Sequence, residues 1–181
     1  STDQVVAFTT AQVASLTATQ AAGLTSDQVT AFSTAQTRAL TTSALNGLDA
    51  DQMGALETED FAALTTAQIA GLDTEAVSLL STDQVVALTT AQVKSLTSAQ
   101  LNALDADQMG AVETDDINAL TTAQVAKLDT AIVAMLSTDQ VVALNTAQMK
   151  ALTSTQLNAL DSDQLAAVET ADIAALTTTQ V

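Results

Sequence analysis

Counted in blocks of eight from Ser1, this chain never places a polar residue at the eighth position. Those positions run Phe8, Leu16, Leu24, Phe32, Leu40 and onward through Leu104, Val112 and Leu120 to Val168 and Leu176. The fifth positions are nearly as strict, from Val5 and Val13 through Met53, Phe61 and Ile69 to Val181, with Ala21 and Thr37 as departures. A strict internal period outranks other sequence signals, because each repeat must then be one structural unit. The cleanest copy spans Ser81 to Leu88, Ser-Thr-Asp-Gln-Val-Val-Ala-Leu, and it returns unchanged at Ser137 to Leu144.

The first position is always Ser, Thr, Asp, Asn or Glu, and the fourth is usually Gln, with Asp at Asp60, Asp116 and Asp172 and apolar residues at Ala44, Ala76 and Ile132. Thr-x-x-Gln is a capping box, in which the first side chain accepts the N3 amide and the N3 side chain accepts the N-cap amide. The preceding eighth-position Leu and the fifth-position Val stand where a hydrophobic staple closes the same turn. Most octads therefore carry a complete helix-start signal.

A single long helix does not fit, since eight residues overshoot two turns of 3.6 and would rotate the apolar stripe off any face. A β-solenoid, which the Thr and Val content favours, needs alternation rather than apolar spacings of three and five. The pattern predicts an all-α fold, an α-solenoid of very short helices. Each octad holds one helix of about five to seven residues and a bend at the eighth and first positions. Isolated helices below about 12–15 residues are marginal in water, so each octad must pack on its neighbours in a continuous core. Leu104 then belongs to that core, and Ala106 to the surface. The small seventh positions, such as Ala7, Ser15, Gly23 and Ala31, suit close approach of helices.

A second period lies above the first. Asp105-Ala-Asp-Gln-Met109 answers Asp161-Ser-Asp-Gln-Leu165 at 56 residues, seven octads. The super-repeats run 1–24 (partial), 25–80, 81–136 and 137–181 (partial), and residues 1–181 read as a single repeat array, a fragment or protomer of a longer one. The segment from Thr177 breaks off at Val181 on a core position, and neither end has the polar capping repeat of an isolated solenoid. End-to-end self-association is therefore expected.

The net charge is −17, from 21 acids against four bases, Arg38, Lys94, Lys127 and Lys150. Nucleic acid and anionic membrane are poor partners for such a surface. No apolar run approaches the ~20 residues of a spanning helix. There is no Cys or His, which removes thiolate chemistry and the commonest general base and metal ligand. No phosphate loop, nucleophile elbow or zinc motif is present. The reading is that the chain is not an enzyme, and no catalytic, cofactor-binding or metal residue is assigned.

Three patterns bear on chemistry. Acids recur at Asp49, Asp51, Glu57, Glu59 and Asp60, at Asp105, Asp107, Glu113, Asp115 and Asp116, and at Asp161, Asp163, Glu169 and Asp172. Stacked in a column they would hold divalent cations such as Ca²⁺. As N-cap and first-turn residues they would simply complement helix dipoles. Thr rows such as Thr65-Thr66 and Thr121-Thr122 would suit an ice-binding face, but capping already accounts for the first Thr of each pair. Met53, Met109 and Met149 stand on core positions as filler.

The phrases Leu88-Thr89-Thr90-Ala91-Gln92-Val93 and Leu120-Thr121-Thr122-Ala123-Gln124-Val125 resemble tracts of very large repetitive bacterial surface proteins. Those proteins carry adhesin-like or haem-utilisation-like labels and are exported by type I secretion. The resemblance spans the whole chain and implies an extracellular filament or stalk, with an adhesion or biofilm-matrix role. The alternative it leaves open is a calcium- or ligand-binding adhesin module. The haem label lacks support, since the chain has no His, Tyr or Cys to ligate iron. Similar words occur sparsely in periplasmic stress chaperones, within long charged helices that uninterrupted octads do not match.

Overall fold

A computed structural model describes residues 1–180, so the expectation for Val181 lies outside the described residues. The described chain holds twenty-two short helices and no strand. The first is Thr2–Val6 and the last Thr170–Ala175, and each begins one residue after the first position of its octad. They are four to six residues long, slightly shorter than the octad pattern predicts. The difference arises at the helix ends. The eighth-position N–H bonds to the fifth-position carbonyl three residues back, at 3.0 Å in Phe8 and 3.2 Å in Leu88, so the final turn tightens and closes early.

The bend is made by extended backbone. Thr65, an N-cap, has φ −74° and ψ 154°, and Leu72, at an eighth position, has φ −61° and ψ 139°. Among the described residues no φ is positive. The chain therefore turns every eight residues without left-handed glycine, which explains how an array this repetitive manages with five Gly and no Pro.

The chain forms two compact units, Ser1–Ser95 and Leu96–Val181. Each is an α-solenoid in which a helix packs on the helix three octads away. In the first unit Thr66–Gly71 packs on Thr90–Ser95, and in the second Thr114–Ala119 packs on Thr138–Ala143. Inside each unit the fifth and eighth positions form the core. Val13, Leu45, Met53, Phe61 and Ile69 are fully enclosed in the first unit, as are Val125, Val133 and Met149 in the second. Leu104 is 5% exposed, whereas Ala106 lies on the surface, as the period predicts. In the second unit Leu101, Met109, Val112, Ile117 and Leu120 line a void of about 10 Å³, at the lower limit for one water molecule. The stack is filled by its own aliphatic side chains.

Close approach at the seventh position holds where it is needed. A Cβ on Gly47 would stand 2.6 Å from the Ala18 carbonyl oxygen, a backbone atom that cannot swing away. Gly54 and Gly110, at sixth positions, face open space.

Thr37, the polar departure at a fifth position, is completely buried, and its hydroxyl makes no hydrogen bond. An unpaired buried hydroxyl costs about 1–3 kcal/mol. Thr37→Val keeps the shape and removes that cost. It is expected to raise the unfolding free energy by about 1 kcal/mol or more, read from chemical denaturation beside the parent chain. An unchanged or lowered midpoint would contradict this packing.

Candidate functional site

A helix of five residues has almost no interior, so most of its backbone groups are orphans unless something outside the helix satisfies them. At the start of each helix the capping box does this. Thr65 Oγ1 accepts the Gln68 N–H at 3.2 Å, and Gln68 Oε1 accepts the Thr65 N–H at 2.8 Å. The same reciprocal pair closes at Asp49 with Gln52, Ser81 with Gln84, and Ser137 with Gln140.

The other end of the glutamine amide does what the capping pattern alone does not reveal. Its Nε2 donates to carbonyls on the preceding turn of the solenoid. In the first unit Gln36, Gln68, Gln84 and Gln92 reach the carbonyls of Phe8, Leu40, Leu56 and Leu64 at 2.7 to 2.9 Å, and Gln52 reaches Leu24 in the same way. In the second unit Gln124, Gln140, Gln148, Gln156, Gln164 and Gln180 reach Leu96, Val112, Leu120, Leu128, Leu136 and Leu152 at 2.5 to 2.8 Å. Every one of these steps is 28 residues. Many of the same amides also touch the fifth- or sixth-position carbonyl, as Gln84 does at Met53 at 2.8 Å. One glutamine thus caps the start of its own helix and the end of a helix one turn earlier.

The 28-residue step is three and a half octads, so one turn of each unit holds that many. Two turns make 56 residues, the length of the super-period. The half-octad offset explains why a fourth position lies over an eighth rather than over another fourth.

An outer set of bonds points the other way. Asn46 Nδ2 donates to the Gly71 carbonyl at 3.1 Å, and Asn46 Oδ1 accepts the Asp73 N–H at 3.1 Å. Asn102 repeats this with Lys127 and Asp129 in the second unit. These sixth-position residues reach forward by 25 and 27 residues, tying the surface of one turn to the next.

The acidic clusters do not converge. Asp49, Asp105 and Asp161 are N-caps whose carboxylates accept the backbone N–H groups of Gln52, Gln108 and Gln164 at 2.9, 2.8 and 2.8 Å. Glu57, Glu113 and Glu169 stand at N-cap positions without a side-chain cap bond, so the octads carrying Asp60, Asp116 and Asp172 lack the box, as do those carrying Ala44, Ala76 and Ile132 at the fourth position. A glutamate side chain is one carbon too long for this role and is not among the favoured caps. In the second unit the two acidic clusters lie two turns apart, with a full turn between them. Packed helices stand about 8–10 Å apart, so these carboxylates are separated by far more than the 2.3–2.6 Å of a cation's ligand bonds. Among the described residues no group of three or more Asp, Glu, His or Cys is arranged to hold a metal ion. The Thr rows serve as caps and first helical residues, and Met53, Met109 and Met149 are buried in the core.

The signal for the ladder was present in the choice of residue. All 17 glutamines of the chain stand at fourth positions, and none of its glutamates does, although the chain is rich in acids. Glutamate would complete a capping box equally well. Only the amide adds a donor, so the exclusion of Glu marks a second bond.

This predicts the outcome of Gln84→Glu, at a side chain with no exposed surface. The carboxylate keeps the cap acceptor but faces the Met53 and Leu56 carbonyls with no proton to give. Burial and those oxygens disfavour the charged form, so the introduced carboxyl titrates above its unfolded value. The destabilisation is therefore complete above the folded pKa and vanishes below the unfolded one. At neutral pH the cost is expected to be about 3 kcal/mol or more, shrinking as pH falls through the acidic range, measured as the difference from the parent chain at each pH. A small, pH-independent difference would contradict the ladder.

The family model of the ALTTAQ repeat matches the chain six times, over residues 1–34, 26–58, 53–90, 85–113, 109–146 and 141–170. The matches start between residues 1 and 141, so on average they step by the 28 residues of one turn. No curated protein matches the chain. With nearly its whole described length matched in tandem, the chain belongs to the ALTTAQ repeat family.

Proposed function

We propose that the chain is a structural repeat array, a filament or stalk segment exposed on a bacterial surface, and not an enzyme. The observation that carries this reading is the ladder itself. Most cap residues are consumed in closing the start of their own helix, and most fourth-position glutamines in both that and joining one turn to the next. The core is filled by aliphatic side chains, with no room for a ligand in the second unit's central void. What remains outside is mostly small, polar and acidic side chains, with single apolar ones such as Val86, Met135 and Val142 scattered among them, which suits a spacer in long arrays. The −17 charge opposes lateral clumping of such arrays. No helix among the described residues is long and apolar enough to cross a membrane.

Extracellular placement, adhesion and a biofilm-matrix role rest on the resemblance to secreted surface repeats and belong to this proposal. So does association of arrays end to end. A calcium- or ligand-binding adhesin module is the second reading. The separation of the acidic clusters by an intervening turn argues against it, because carboxylates so far apart cannot share an ion.

Two measurements test the proposal together. Thermal melting in excess chelator and in millimolar Ca²⁺ is expected to agree within about 1 °C. A bound ion at saturating concentration would stabilise by several kcal/mol and move the midpoint by many degrees. Antibody labelling and protease shaving of intact producing cells are expected to find the chain outside. A large Ca²⁺-dependent shift would favour the binding module, and a chain protected from both reagents until lysis would contradict the surface role.

A further inference from the structure

A fourth-position glutamine has two tasks, and inside the first unit the octad of residues 73–80 separates them. Its fourth residue is Ala76, which has no amide. The acceptor task passes to the preceding turn. Asn46 Oδ1 accepts the Asp73 N–H at 3.1 Å, the bond that Gln68 Oε1 makes to Thr65 N–H in the octad before. The donor task passes to no side chain. The 28-residue step leads from Ala76 to Leu48, and no described residue donates to the Leu48 carbonyl. Ala76 and Leu48 line a cleft of about 360 Å³ together with Asn46, Asp49, Glu75 and Leu79. Glu75 and Asp49 are exposed, and Asp49 Oδ1 accepts the Gln52 N–H at 2.9 Å. Among the described residues no basic side chain lines the cleft. The second unit treats the same position differently. There residues 129–136 answer 73–80 at 56 residues, and Asn102 Oδ1 accepts the Asp129 N–H at 2.9 Å as Asn46 does for Asp73. Ile132 takes the place of Ala76 and is 3% exposed, and Ala131 takes the place of Glu75. One unit thus fills the missing rung with an apolar side chain and sets no charge beside it, whereas the other leaves it open beside an acid.

We infer that this cleft binds an alkylguanidinium group, such as an arginine side chain, whose NH₂ takes the place of the absent glutamine NH₂ at the Leu48 carbonyl. Both groups present N–H donors in a plane, so a carbonyl set to meet one suits the other. The guanidinium adds the positive charge that Glu75 and Asp49 attract, in charge-assisted bonds stronger than those of a neutral amide. Its alkyl stem has Ala76 and Leu79 to lie against. An ammonium would match the charge but lacks the planar donor edge. The net charge of −17 draws cationic ligands toward the array as a whole, and the cleft selects among them by shape. This site goes beyond the structural-array reading, because it does not depend on where the array is displayed.

The test titrates the 181-residue chain with N-acetyl-arginine methylamide, with free arginine, and with the blocked citrulline analogue, whose ureido group keeps the shape without the charge. Backbone N–H signals in ¹⁵N NMR spectra report the binding. The blocked arginine is expected to move the Asp49 and Ala76 signals with a Kd on the order of 1 mM, and to leave those of their counterparts Asp105 and Ile132 in place. The citrulline analogue is expected to bind at least tenfold more weakly. Ala76→Gln restores the rung, so that the protein's own amide occupies the Leu48 carbonyl, and is expected to weaken binding at least tenfold. Glu75→Ala copies Ala131 at an exposed position and is expected to weaken it at least fivefold, which keeps the test decisive should the glutamine variant not fold. Tighter binding of the blocked than of the free arginine assigns the guanidinium to a polypeptide, and the reverse order assigns it to a small molecule. No shift at tens of millimolar ligand, equal shifts at Asp105 and Ile132, equally tight citrulline, or variants that bind like the parent would overturn the site. The surface-array reading would stand or fall separately, on labelling of intact cells.

Discussion

A helix that ends after five residues leaves its carbonyls with nowhere to go, and the rest of this molecule follows from how they are satisfied. Water would serve for an isolated helix, but the eighth-position carbonyl lies next to a buried leucine and its bond must come from the protein. Six octads have Ala44, Asp60, Ala76, Asp116, Ile132 or Asp172 at the fourth position and no such amide to give. Where the octad one turn later has glutamine there, that glutamine supplies it. That single amide has its oxygen committed to a helix start and its nitrogen to a helix end. Its geometry therefore fixes the distance between turns, and the number of residues in a turn with it.

The repeat length and the pitch are consequences of the same bond. Eight residues give one short helix plus two extended residues, and three and a half such units bring a fourth position over an eighth. The core adapts to this geometry. Layers this close admit valine, leucine, methionine and isoleucine at the fifth and eighth positions and small residues at the seventh, with Gly47 against the Ala18 backbone as the tightest case. Long-range order in each unit is thus built from nearest-neighbour contacts, as in other solenoids, and stability grows with the number of turns stacked.

Much of this was legible in the sequence because helix starts and burial are local properties. Ser, Thr or Asp at the first position with Gln three residues on announces a cap, and the strict fifth and eighth positions announce a core. What joins one turn to the next was not legible in the same way, because a bond from Gln36 to Phe8 depends on how many octads make a turn, and no single octad encodes that number. The 56-residue super-period did encode it, as two turns, but only once the ladder is seen. The acidic clusters were open to two readings, a cation column or N-cap and first-turn residues, and Asp49, Asp105 and Asp161 follow the second. Periodic carboxylates suggest a column until the turn between them is counted. The octads with Asp60, Asp116 and Asp172 at the fourth position resemble capping boxes on paper, yet their Glu57, Glu113 and Glu169 caps make no cap bond. Thr37, an anomaly in the pattern, remains one in the fold: a buried hydroxyl without a partner.

The central claim is that buried glutamine amides, and not apolar packing alone, set the stacking of turns. Hydrogen exchange of the glutamine side-chain NH₂ groups in the folded protein, followed by ¹⁵N NMR, addresses that bond directly. The account predicts slow exchange for Gln84, Gln92, Gln140 and Gln148, whose Nε2 groups are enclosed and bonded across turns. For the 181-residue chain it predicts exchange near the free-amide rate for Gln4, Gln12 and Gln20, which are exposed and whose side-chain bonds are made by the oxygen within their own octads. Equal exchange for all seven would show that the glutamines serve only as caps, and the ladder would have to be abandoned.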